Sequence, residues 1–209
     1  MSNKEKVTID WKNVIRLALI LFIITAVAST LLALTNFVTK DIIAERNDQA
    51  NTVARQAVLQ DADKFEQVDA IENLAKTALP TDYESIAEAY IGYKGDKIVG
   101  YTIKTTPSGY GGEVEILTGI SINGKVTGIT ILNQNETPGL GAKSTDPVFQ
   151  EQFKDKDAKK EITVVKGGTA SDNQIVAITG ATITSKAVAT GVNYSEKVFE
   201  ILTEKGAKK

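Results

Sequence analysis

The stretch Thr179-Gly180-Ala181-Thr182-Ile183-Thr184-Ser185 sets four hydroxyls into seven residues. It follows a short apolar run, Ile175-Val176-Ala177-Ile178, and precedes Val188, Val192, Phe199 and Leu202 at near-helical spacing. The pattern predicts that it opens the last helix of the chain, over residues 183–204. The first amides of a helix have no intrahelical acceptor, and together with the helix dipole they favour a phosphate group. The plainer alternative is that Thr182 or a neighbour simply caps the helix.

Two further loops carry residues that neither strand propensity nor core packing explains. In Thr106-Pro107-Ser108-Gly109-Tyr110-Gly111-Gly112, glycines around a single tyrosine permit tight turns and close approach of backbone to a ligand. In Asn133-Gln134-Asn135-Glu136-Thr137-Pro138-Gly139-Leu140-Gly141-Ala142-Lys143, a carboxylate, a rigid proline and one leucine between glycines follow a predicted strand end. That composition suits backbone donors and an apolar contact placed against a flat ring. Each loop taken alone also reads as an ordinary surface connection.

Composition narrows the chemistry. The 209 residues include no Cys and no His, which removes disulfides, cysteine-ligated clusters and the usual general base. No carboxylate spacing resembles a calcium loop, and no metal site is expected. A net charge of -2 without a dense basic stripe argues against nucleic acid as a partner. Any redox or group-transfer chemistry must then be carried by an organic cofactor.

The elements that would position these residues begin with an uncharged apolar run, residues 17–38, long enough for a membrane helix of roughly 30 Å. Lys4, Lys6, Lys12 and Arg16 precede it against Glu5 and Asp10, while Lys40, Asp41, Glu45 and Arg46 balance after it. This bias predicts a cytoplasmic tail at 1–16, a single span at 17–38 and an extracytoplasmic remainder. Ala26-Val27-Ala28 looks like a cleavage site, but the apolar run continues beyond it, which favours an uncleaved anchor in the cell membrane. A polar helical stalk is predicted over 41–67, within a segment 39–67 that leads into the soluble domain at 68–205, with a tail at 206–209. Hairpins are expected at 86–105, turning at Gly95-Asp96, and at 114–133, turning at Asn123-Gly124. With a helix at 146–154 and a strand at 161–165, the fold class is α+β, an antiparallel sheet covered by helices.

The membrane run, Ser108-Gly109-Tyr110-Gly111-Gly112, Glu136-Thr137-Pro138-Gly139-Leu140-Gly141 and the 179–185 motif together resemble the G subunits of Rnf electron-transport complexes. They are less closely similar to the C subunits of sodium-translocating NADH:quinone reductases. Thr179 stands where many members have Ser. The resemblance implies FMN joined through its phosphate to Thr182, with Thr179, Gly180, Ala181, Thr184 and Ser185 around the attachment. Tyr110, Gly111, Glu136, Thr137, Pro138, Gly139 and Leu140 would lie near the isoalloxazine. It also implies a separate flavin transferase, partner subunits of a membrane complex, and electron flow between ferredoxin and NAD coupled to Na⁺ or H⁺ translocation, without independent turnover by this subunit. The competing readings are an anchored binding or assembly module and a membrane-bound hydrolase; the latter lacks a His or Cys to activate a nucleophile.

Overall fold

In the computed structural model of the chain, residues 10–69 and 71–206 are described. Residues 1–9 of the predicted tail, with Lys4, Glu5 and Lys6, and residues 207–209 lie outside them. Asp10 starts the first helix: its Oδ1 accepts the amides of Lys12 at 3.1 Å and Asn13 at 3.3 Å, which caps two of the free donors at the N-terminus. The helix, α1 (Trp11–Val58), then runs for 48 residues.

The chain divides into two compact units, residues 1–49 and 50–209. In the first, the apolar side chains of α1 are bare: Leu17, Phe22, Leu32 and Phe37 are exposed. Its threonine hydroxyls turn back onto the helix, Thr25 donating to the Leu21 carbonyl, Thr30 to Ala26 and Thr35 to Leu31. Every side-chain donor among these is thus satisfied without solvent, as a helix in hydrocarbon requires. By length and composition it is a helix able to cross a bilayer.

The second unit takes in the last turns of α1. The stalk expected to stay helical to residue 67 stops at Val58 instead. Leu59 and Ala62 are buried, and Gln56 Nε2 donates to the carbonyls of Gln60 and Ala62, closing the helix end. Residues Lys64–Gln67 then form strand β1, followed by α2 (Ile71–Ala78), β2 (Ile86–Lys94), β3 (Lys97–Thr105), β4 (Glu115–Ser121) and β5 (Val126–Asn133). The five strands pair in sequence order, each antiparallel to the next. Both predicted hairpins are present at their expected turns.

After the sheet come α3 (Pro147–Gln150), β6 (Thr163–Val165), β7 (Gln174–Val176) and α4 (Thr182–Gly206). The strand expected near 161–165 is β6, and it pairs in parallel with β7 in a separate small sheet. One face of the large sheet buries Tyr101, Ile103 and Ile120 against Leu74 of α2 and Val198, Phe199 and Leu202 of α4. The same face further along packs Ile116, Val126 and Ile131 against Phe149, Phe153, Val188 and Val192. Each such buried aliphatic contributes about 1.5–3 kcal/mol, so α4 is fixed as a core helix along most of its length. On the other face, Ala54 and Val58 pack on Leu117 and Leu132, and Arg55 lies 3.7 Å over the Tyr90 ring while pairing with Glu88 at 3.2 Å.

Candidate functional site

The core packing of α4 fixes where its first turn stands. Ala181 immediately precedes the helix, and the first bond along it is Ser185 N–H to the Ala181 carbonyl at 3.0 Å. The amides of Thr182, Ile183 and Thr184 therefore open the helix as donors without intrahelical acceptors.

The hydroxyls of the turn divide into different roles. Ser185 is fully buried; its Oγ donates to the Ala181 carbonyl at 2.9 Å and accepts the Ile178 amide at 2.9 Å. Thr184 is 1% exposed and donates to Glu136 Oε2 at 2.8 Å. Thr179 is exposed and does not line the cavity described below. Thr182, half-buried at the first helical position, lines that cavity, and among the described residues its hydroxyl has no hydrogen-bond partner in the protein. Local geometry thus separates Thr182 from the neighbouring hydroxyls.

The cavity has a volume of about 460 Å³, within the range of small-molecule sites, roughly 300–1,000 Å³. Its walls come from three segments: Tyr110 from the loop after β3, Glu136, Thr137, Leu140 and Gly141 from the loop after β5, and the start of α4. Tyr110, Leu140 and Ile183 border it while remaining 72%, 42% and 55% exposed. A flat apolar group resting there would cover side chains that otherwise face water.

Glu136 ties the three segments together. It is 6% exposed; Oε1 accepts the Tyr110 amide at 2.8 Å and the Gly111 amide at 3.1 Å, while Oε2 accepts Thr184. Two glycines make room for it. A Cβ on Gly109 would stand 2.2 Å from Oε1, and one on Gly141 would stand 2.5 Å from both Oε2 and Thr184 Oγ1. At Gly180 the backbone adopts a positive φ of 76°, and Leu140 packs against it. Only a residue without a side chain satisfies both conditions there cheaply.

Of the residues expected from sequence, Tyr110, Glu136, Thr137, Leu140, Gly180, Ala181, Thr182 and Thr184 line one cavity. Gly111 builds its wall through an amide, and Ser185 braces the turn from inside. Thr179, Pro138 and Gly139 do not line it. Gly141 and Ile183 line it in addition to the residues expected. An apolar Ile183 among hydroxyls at a helix start is a sequence signal for one; Gly141 carries none of its own beyond its place in the glycine-containing loop after β5. Among the described residues, no group of three or more acidic, His or Cys side chains is placed to hold a metal.

The donor set fits a phosphate-bearing flat heterocycle: open helix amides beside a free hydroxyl, then an apolar border. Comparison with known proteins points the same way. A family model described as the FMN-binding domain matches residues 109–195, and one described as the RnfG N-terminal region matches residues 1–58. The chain is 55% identical over 208 residues to the G subunit of the Na(+)-translocating ferredoxin:NAD(+) oxidoreductase complex of Acetobacterium woodii, covering 98% of this chain and 100% of that one. It is 35% identical over 182 residues to the G subunit of the proton-translocating ferredoxin:NAD(+) oxidoreductase complex of Clostridium ljungdahlii, covering 87% and 88%. The crystal structure of Shewanella oneidensis NqrC shares the fold, with a TM-score of 0.52 at 19% identity over 59% of this chain and 62% of that one.

Proposed function

The chain belongs to the family of G subunits of ion-translocating ferredoxin:NAD(+) oxidoreductase complexes, and from that premise we propose that it is the FMN-carrying electron-transfer subunit of such a complex, with the cofactor esterified to Thr182. The observation that carries the proposal is the unpartnered Thr182 hydroxyl at the opening of α4, on the wall of the cavity that gathers all three loops. When bound, FMN supplies one- and two-electron redox chemistry.

The chain's own residues do the rest. Thr182 Oγ1 holds the phosphate, and the amides of the first turn of α4 oppose its charge, with the end-of-helix field worth about 0.3–1 kcal/mol before direct hydrogen bonds. Tyr110, Leu140 and Ile183 cover the flat ring system. Glu136 keeps the three walls in register. No group in the cavity is a nucleophile-activating base of the His or Cys type; as the family resemblance implies, a separate flavin transferase would move FMN from FAD to Thr182 Oγ1, with AMP as the leaving group.

The apolar run at 17–38 crosses the cell membrane once, with residues 1–16 cytoplasmic and the domain at 68–205 extracytoplasmic, in contact with lipid along the bare side chains of α1. The subunit passes electrons between other membrane and peripheral subunits and does not turn over a soluble substrate itself. The coupled ion is Na⁺ or H⁺, those for which the two relatives are named.

The test is Thr182→Ala in the full chain, made alongside a flavin transferase. Flavin fluorescence that follows the wild-type chain through a denaturing gel is expected to vanish in the variant, with the chain still membrane-bound. Fluorescence retained by Thr182→Ala rejects the assignment.

A further inference from the structure

A buried carboxylate needs donors, and those that meet Glu136 are neutral: two backbone amides and one hydroxyl. All three donate to an acceptor-only group, the state of an ionised carboxylate. Among the described residues, no Lys or Arg lies within ion-pair distance of it. Its one negative charge therefore stands on the cavity wall without a counter-charge, at 6% exposure, where water screens it poorly. Charges inside a protein interact at an effective dielectric of about 20 rather than 80, so a charge on this wall is felt across the cavity several-fold more strongly than in bulk water.

We infer that Glu136 is a positioning residue with a second task, setting the reduction potential of the flavin bound at Thr182 by opposing the negative charge that reduction adds; the inference rests on the FMN reading above. The architecture suits such a role. The carboxylate is locked from two sides by the close approaches of Gly109 and Gly141, so its charge keeps a constant place relative to Thr184 and the first turn of α4. A solvated glutamate on the same loop would rotate away and be screened.

Hydrogen-bond logic separates charge from scaffolding. In Glu136→Gln, the amide oxygen takes the place of Oε1 and accepts Tyr110 and Gly111, while the NH₂ donates to Thr184 Oγ1. The contacts remain and the charge is gone. In Thr184→Val, the Oε2 contact is lost and the charge stays. The experiment uses the full chain in detergent, with flavin at Thr182 confirmed by mass, titrated reductively with dithionite and followed by flavin absorbance. Glu136→Gln is expected to favour reduction by about tenfold, an upward shift of about 59 mV for a one-electron couple, with Thr184→Val shifting it much less. A loaded Glu136→Gln with unchanged potential overturns the inference, and so does Thr184→Val shifting as far as Glu136→Gln. If Glu136→Gln loads too little flavin, Thr137→Lys places a cation beside the carboxylate from the exposed side; its potential is expected to rise, and an unchanged value again overturns the inference. A wild-type chain without flavin at Thr182 instead rejects the functional reading itself, which mass reveals before any titration.

Discussion

Glu136 and Glu196 are both withdrawn from water, at 6% and 5% exposure, and α4 touches one at its first turn and carries the other. Glu136 is met by three donors. Glu196 has an oxygen, Oε1, with no partner among the described residues, in a hollow of about 320 Å³ lined also by Lys159, Lys160, Glu161, Lys197 and Glu200. Burial, and then the charges of Glu200, Asp157 and Glu161, push its pKa up to about 8. None of the three lysines comes within ion-pair distance among the described residues, so desolvation wins. A fold can bury a carboxyl group either by surrounding the charge with donors or by keeping the proton on it. The chain does the first where three loops must meet around a cavity and the second in the body of a packing helix.

The largest effect is expected from Glu136→Ala. It strands one buried hydroxyl, at about 1–3 kcal/mol, and two part-buried amides that water reaches more readily; a loss of about 3 kcal/mol is expected in denaturant unfolding. A loss no larger than that of a surface substitution, within about 0.5 kcal/mol, makes Glu136 an ordinary loop residue.

Glu196→Gln tests the other side. The folded pKa of about 8 lies above the ordinary 4.5, so the native state holds a proton that the unfolded chain releases between those values. The stabilisation is complete below pH 4.5, is lost as the pH rises to about 8, and is gone above it. The neutral glutamine is expected to melt level with the wild type at pH 4.5 and a few degrees above it beyond pH 8. Parallel melting curves at both ends of the range contradict an unpartnered Glu196.

Smaller effects are expected at the cavity. Thr184→Val removes one of the three bonds to Glu136 and is expected to cost about 1 kcal/mol. A cost matching that of Glu136→Ala places the whole effect in this one bond. Leu140→Ala, at an exposed border position, is expected to leave the melting temperature nearly unchanged while shifting the absorption spectrum of the bound flavin. An unaltered spectrum counts against ring contact by Leu140.

How much of this was legible in the sequence depended on how local the cause was. The hairpins could be read because Gly95-Asp96 and Asn123-Gly124 are turn pairs between alternating runs, and α4 because its apolar stripe repeats over many turns. The end of α1 could not. Residues 59–67 change course because Leu59 and Ala62 find a sheet to bury against, and Lys64–Gln67 is an edge strand with no apolar alternation to announce it. The strands β6 and β7 have three residues each, too few to show a period. At the site, the helix opening that puts Thr182 on the cavity wall was legible from the apolar run before it and the stripe after it, whereas its part as an attachment point came from family resemblance. The bracing role of Glu136 was not legible, because a glutamate in a polar loop reads as solvated until segments distant in sequence close over it.

A phosphoester at Thr182 Oγ1 changes the mass of one short peptide, and that change can be read residue by residue. The full chain, produced with a flavin transferase, is digested and the peptide spanning residues 179–185 is fragmented. The expected result is the added mass of FMN less one water, localised to Thr182. An unmodified Thr182, or the same added mass on Thr179, Thr184 or Ser185, rules out attachment at Thr182.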